Sequence, residues 1–300
     1  MTLRSVVLLC ALWLAAPAPA HVLYGRTTLR QWIVQSPVVA VVEFESDVQM
    51  WRADDASDRQ EYFRVRALET LRGEAPSGSF EFFPHAEGFP GFHAGDRALL
   101  FLEPTSKRVE FTTLAARFPW FSAQSAGSEW TLAGAGGERI LAVARRWCSL
   151  RETSVADPAV AVRAILLDAL GSGVARLQDD AIAEFVGVRA LPGVLDADGV
   201  AAFAALADTP ELGLTHRLAL VRLLEGAPGF DARPRLRTLA REAGAQGSGL
   251  SQMIRVAGAS DDPELRSWLG ALAEDPRPWV RREALAVPER HCVGSGSQGR

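Results

Sequence analysis

The residues best placed to do chemistry are three histidines. His21 follows the small-residue triplet Ala18-Pro19-Ala20. A chain cut after Ala20 would present the His21 amine and imidazole together, a pair that suits copper. His85 and His93 lie in one aromatic loop, and either could complete such a site. Against this, some residue must follow any cleavage site, and histidines are common in loops. A copper protein built on His21 is therefore an alternative reading, and no metal or cofactor is assigned.

Other constellations are weaker. Leu195-Asp196-Ala197-Asp198-Gly199 looks like part of a calcium loop, but the aligned first and twelfth positions are Val194 and Ala205, where carboxylates are needed. A turn with Asp198 as helix N-cap is the better expectation. The acid pairs Asp54-Asp55, Asp179-Asp180 and Asp261-Asp262 are expected in turns or caps as solvated carboxylates. A catalytic role would need one of them desolvated or closely paired. There is no Gly-x-Ser-x-Gly, His-Glu-x-x-His, Cys-x-x-Cys or phosphate-binding glycine loop. No catalytic residue is assigned, and the expectation is a protein that is not an enzyme.

The N-terminus has an export pattern, with Arg4 as the positive region and Ser5 to Ala16 as a short apolar region. Residues 1–20 are read as a signal peptide, which places the protein in the periplasm or outside the cell. Cys10 does not mark a lipoprotein, because Leu9 stands where a small residue is wanted. No later stretch is apolar enough to span a bilayer. After cleavage only Cys148 and Cys292 remain. In an oxidising compartment they either form a disulfide across the helical half or stand as two partly buried thiols; a bridge needs Cα atoms within about 7 Å. The net charge is −4 and Lys107 is the only lysine, so nucleic acid is not an expected partner. A monomer is expected.

Residues 21–135 read as strands. Residues 38–51 begin as an apolar β-branched run and then alternate, residues 60–71 alternate again, and the acidic segment 52–59 suits a hairpin tip. Short strands are expected at 79–83, 97–102, 108–114 and 129–132, separated by turn clusters. Phe82, Phe83, Phe89, Phe92 and Trp120-Phe121 are expected to fill the core and the seam between domains, or else to form a sticky rim for a partner or glycan. This spacing predicts a small antiparallel barrel.

The Val38–Phe44 strand, the FRVRALETLRG strand ending at Leu71-Arg72-Gly73, and the Ala94-Gly95-Asp96 turn into Arg97–Leu102 resemble OB-like, netrin-type modules of exported bacterial proteins. The paired cysteines of animal netrin domains are absent. The resemblance implies recognition. In tissue inhibitors of metalloproteases, which share that fold, the mature N-terminus chelates the target's zinc, and here the corresponding group would be the His21 amine. A protease-inhibitor-like module is thus a second alternative.

Residues 136–156 are expected to form a connecting helix and linker, and residues 157–288 a series of amphipathic helices ahead of a flexible tail at 289–300. Apolar stripes recur at helical spacing, among them Ile182, Phe185 and Val186, then Leu214, Leu218, Val221 and Leu224. Asp157-Pro158, Asp262-Pro263 and Asp275-Pro276 are start signals, with aspartate as cap and proline where no N–H is required. The segments Asp157–Ala164 and Asp275–Leu285 resemble bacterial HEAT-like repeats, which implies a concave face for a protein or peptide. The expectation is an α+β multidomain protein: an OB-like antiparallel β-barrel followed by a HEAT-like hairpin array, each with its own core. The function expected is non-enzymatic protein binding or scaffolding in the bacterial envelope.

Overall fold

The run Val38-Val39-Ala40-Val41-Val42 is apolar at every position because both of its faces are covered. In a computed structural model describing residues 27–52, 59–84, 91–105, 120–122, 128–152, 157–247 and 249–292, it forms the central strand β1 (Val38–Phe44). Alternation then divides it. Val38, Ala40, Val42 and Phe44 pack on one face with Phe63, Val65, Phe80, Phe82, Phe92 and Leu100. Val39 and Val41 face the other way, with Leu99 and Phe101, into a cluster shared with the helices.

The sheet is antiparallel and curled. β1 pairs on one side with β5 (Arg97–Pro104), from Val38↔Leu102 to Glu43↔Arg97. On its other side it pairs with the C-terminal part of β3 (Arg59–Arg72), with irregularities after Val39 and Val41. The expected first arm breaks at residues 45–48, and a separate β2 (Gln49–Arg52) pairs with the start of β3. The opposite edge of β3 takes β4 (Ser79–Phe82), and the outer edge of β5 takes β6 (Trp120–Ser122) and β7 (Trp130–Thr131). β4 and β6, the outermost strands, come together, which is how the sheet curls into a half-barrel. Gly73 ends β3 at φ +69°, and a Cβ there would run into the Pro37 carbonyl. The hairpin tip and the strand expected at 108–114 lie outside the described residues.

A short helix with no counterpart among the expected elements precedes the sheet: α1 (Leu29–Gln35). Thr28 and Gln31 form a capping box, the Thr28 hydroxyl accepting from the Gln31 N–H and the Gln31 side chain from the Thr28 N–H. After the sheet come α2 (Gly134–Glu152), α3 (Pro158–Leu170), α4 (Ala175–Val188), α5 (Ala197–Ala207), α6 (Leu214–Leu224), α7 (Arg233–Gln246), α8 (Leu250–Gly258), α9 (Pro263–Leu272) and α10 (Pro278–Cys292). Asp157 caps α3 by accepting from Ala159 and Val160, and Asp262 caps α9 by accepting from Glu264 and Leu265. The third Asp-Pro pair acts slightly upstream of its helix. Asp275 accepts from the Arg277 N–H, and α10 begins at Pro278.

Consecutive helices other than α4 and α5 pack closely, and some next-but-one helices do so as well: α3 with α5, α4 with α6, α7 with α9, α8 with α10. Stacked Phe185 and Phe203, 4.3 Å between centroids, join α4 to α5. One continuous apolar cluster runs from Leu29 of α1, through Val41, Phe101 and Trp147, to Ala284 of α10. The core is thus joined across the boundary between strands and helices, where the sequence reading expected a core closed on each side. The reason is α1 and α2, whose buried Trp32, Ile33, Ile140 and Ala144 sit between the helical array and one face of the sheet. No helix among the described residues is long and apolar enough to cross a membrane.

Candidate functional site

The histidine trio is represented among the described residues by His93 alone; His21 and His85 lie outside them. His93 is largely exposed, and its Nδ1 lies 3.3 Å from Asp47 Oδ1. Asp47 also accepts from the Ala94 N–H at 3.1 Å, and Asp96 accepts from the His93 N–H at 2.8 Å. The Ala94 N–H and the His93 ring hold the Asp47 carboxyl below its usual range. This arrangement fastens the turn before β5 to the break between β1 and β2. Among the described residues no group of three or more His, Cys, Asp or Glu side chains is placed to hold a metal.

The calcium-like fragment opens α5, but with a different cap from the one expected. Asp196, not Asp198, caps the helix, accepting from the Gly199 N–H at 2.7 Å. That bond is the main reason its carboxyl sits below the usual range. The Arg163 guanidinium of α3 also donates to Asp196, so a cation already faces this carboxylate. Asp198 falls in the first turn, where its charge favours the helix dipole. Cys148 is buried on α2 in the shared core, and the Cys292 side chain lies outside the described residues. Phe82, Phe83 and Phe92 are buried. Phe92 stacks on Phe44 at 4.3 Å, which makes it core and not rim.

The acid pairs depart most from expectation. Asp54-Asp55 lies outside the described residues. Asp262 is a buried cap whose carboxylate takes Arg237 of α7 at 2.9 Å, while Asp261 is fully exposed beside Arg266. Asp179 and Asp180 lie within α4, not in a turn or a cap. Asp179 Oδ1 is 2.8 Å from His216 Nε2 of α6. Asp180 is partly buried under α1, and its Oδ1 accepts from the Leu29 N–H at 2.7 Å. Desolvation pushes the Asp180 carboxyl up to about 7. One turn on, Glu184 accepts from the Thr28 hydroxyl at 2.5 Å and from Arg30 at 2.6 Å. The capping box at Thr28 was the one sequence signal for this cluster.

A groove of about 660 Å³ opens between α8, α9 and α10. Leu269, Ala273, Ala284, Leu285 and Val287 give it an apolar wall, and Ser260, Asp261 and Arg266 lie at its polar end. Leu285 is 58% exposed, and Trp279 on the same helix is 39% exposed. Such a surface can take an apolar side chain flanked by polar groups. Compared with protein-family models, with curated proteins and with solved structures, the chain matches none.

Proposed function

We propose that this chain is a non-enzymatic binding protein of the bacterial cell envelope, which offers the groove between α8, α9 and α10 to a protein or peptide. In this reading the curled sheet is an OB-like module and the helix pairs are HEAT-like. The observation that carries the proposal is an apolar groove walled by Leu269, Ala273, Ala284 and Val287 and ending in exposed Leu285. The export pattern at residues 1–20 supports the location.

Selection of peptides from a random display library on the full mature chain tests the binding reading. Enriched peptides are expected to share an apolar anchor and to lose binding to Leu285→Glu. Failure to enrich any sequence, or equal binding by Leu285→Glu, overturns it. N-terminal sequencing of chain recovered from an expressing bacterium is expected to begin at His21, and an uncut chain retained in the cytoplasm overturns the envelope assignment.

A further inference from the structure

The seven-residue helix α1 is fastened at its two ends to different parts of the molecule. At its C-terminus, Arg72 of β3 donates to the carbonyls of Ile33, Val34 and Ser36, the last at 2.7 Å. At its N-terminus, Leu29 and Thr28 donate to Asp180 and Glu184 of α4. Leu29, Trp32 and Ile33 are buried between these anchors, and Trp32 lies 6.1 Å from Phe101 of the sheet. An arginine anchor keeps its charge at any ordinary pH. A carboxyl anchor does not.

We infer that α1 is a proton-sensitive clip joining the sheet to the helical array, tightest when the Asp180 carboxyl is protonated and loosened as that carboxyl ionises. The surroundings of Asp180 give the reason. Asp179, Glu184 and Arg176 of α4 act on its charge, and the Leu29 N–H of α1 donates to it; one step further out, Arg30 of α1 faces Glu184, His216 of α6 faces Asp179, and the Glu129 carbonyl before β7 accepts from Arg176. Both cations have other partners, and the pull of Arg176 on the Asp180 charge is smaller than the cost of burial. Arg30 bonds Glu184, while Arg176 stacks over Trp130 at 4.0 Å and donates to the Glu129 carbonyl. A negative charge on Asp180 would sit beneath an apolar helix beside two other carboxylates, whereas the neutral acid keeps its carbonyl oxygen for the Leu29 N–H.

The direction follows from linkage. With α1 closed the carboxyl titrates near 7; hydrated after opening, it returns toward 3.8. The closed form binds the proton more tightly, so closure is fully favoured below the lower value. It weakens about tenfold per pH unit between the two and levels off above the upper one.

Hydrogen exchange of the full chain, corrected for the intrinsic pH dependence of exchange, tests this at the Leu29, Trp32 and Ser36 amides. Their protection is expected to fall about tenfold per unit between about pH 5 and 6.5 and to flatten above about 7. Amides in α6 and α9 should hold theirs. Asp180→Asn keeps an acceptor for Leu29 but cannot ionise, and its profile should be flat. Glu184→Gln, which removes a neighbouring charge, should move the upper plateau to lower pH, and this arm decides the matter if Asp180→Asn does not fold. Equal slopes in wild type and Asp180→Asn, an unmoved plateau in Glu184→Gln, loss of protection throughout the array, or abolition of the response by His216→Gln would each overturn the inference.

Discussion

Removing Glu242 should cost more than its position at the surface suggests. Its partner Arg217 lies on α6 with a side chain only 8% exposed. Arg217 donates through Nε to the carbonyl of Ala207, the last residue of α5, at 2.9 Å. Through its two terminal nitrogens it donates to Glu242 of α7 at 2.5 and 3.3 Å. One guanidinium thus ties three consecutive helices. In Glu242→Ala the charge stays buried with a single carbonyl to meet. Stranding one member of a fully buried pair costs about 3–5 kcal/mol. Glu242 is 30% exposed, so water enters the vacated space and the expected cost falls to about 2 kcal/mol. Arg217→Met strands only the Ala207 carbonyl, and Glu242 can turn to water, so about 1–2 kcal/mol is expected. The double replacement Arg217→Met with Glu242→Ala leaves no charge behind and should cost about 1–2 kcal/mol less than the two single changes together. Urea unfolding of the four proteins reads all three quantities. A loss below about 0.5 kcal/mol for Glu242→Ala, or strict additivity, would refute the claim that this pair holds the array.

Two further expectations concern the end of the array. A Cβ at Gly258, the last residue of α8, would fall within the van der Waals radius of Val287 Cγ1 on α10. Gly258→Ala should therefore destabilise by about 1–3 kcal/mol, and adding Val287→Ala should recover most of that; denaturant midpoints decide it. The Arg277 side chain and N–H hold the Asp275 carboxyl at about 2, against 3.8 ordinarily. Its contribution is present above the ordinary value and is lost as pH falls toward the folded one, so acid titration between about pH 4 and 2 should destabilise wild type more than Asp275→Asn. Parallel acid-unfolding curves would rule that out.

What could be read from the sequence was local. Asp157-Pro158 and Asp262-Pro263 mark helix starts because the bonds they make span only two or three residues. The apolar run of β1 marks a doubly covered strand, although nothing in it says that helices cover one face. Asp196 and Asp198 are two aspartates that could each open α5, and the choice turns on which one the Gly199 N–H reaches. The Thr28–Gln31 capping box was equally local, but only seven residues separate Thr28 from Ser36, too few for a recognisable apolar stripe.

Asp180 could not have been read at all. Its sequence neighbours are those of an ordinary solvated helix face, and the helix that lies over it is joined to it through the Leu29 N–H, 151 residues earlier. The same long-range step moves the boundary between the halves. Composition changes near residue 135, yet α1, from the strand-rich half, seals α4, and α2 carries the helical core onto the sheet. A change in the hold of α1 therefore acts on the packing of both halves together. Asp180 lies at that junction, where burial outweighs the pull of Arg176 on its carboxyl.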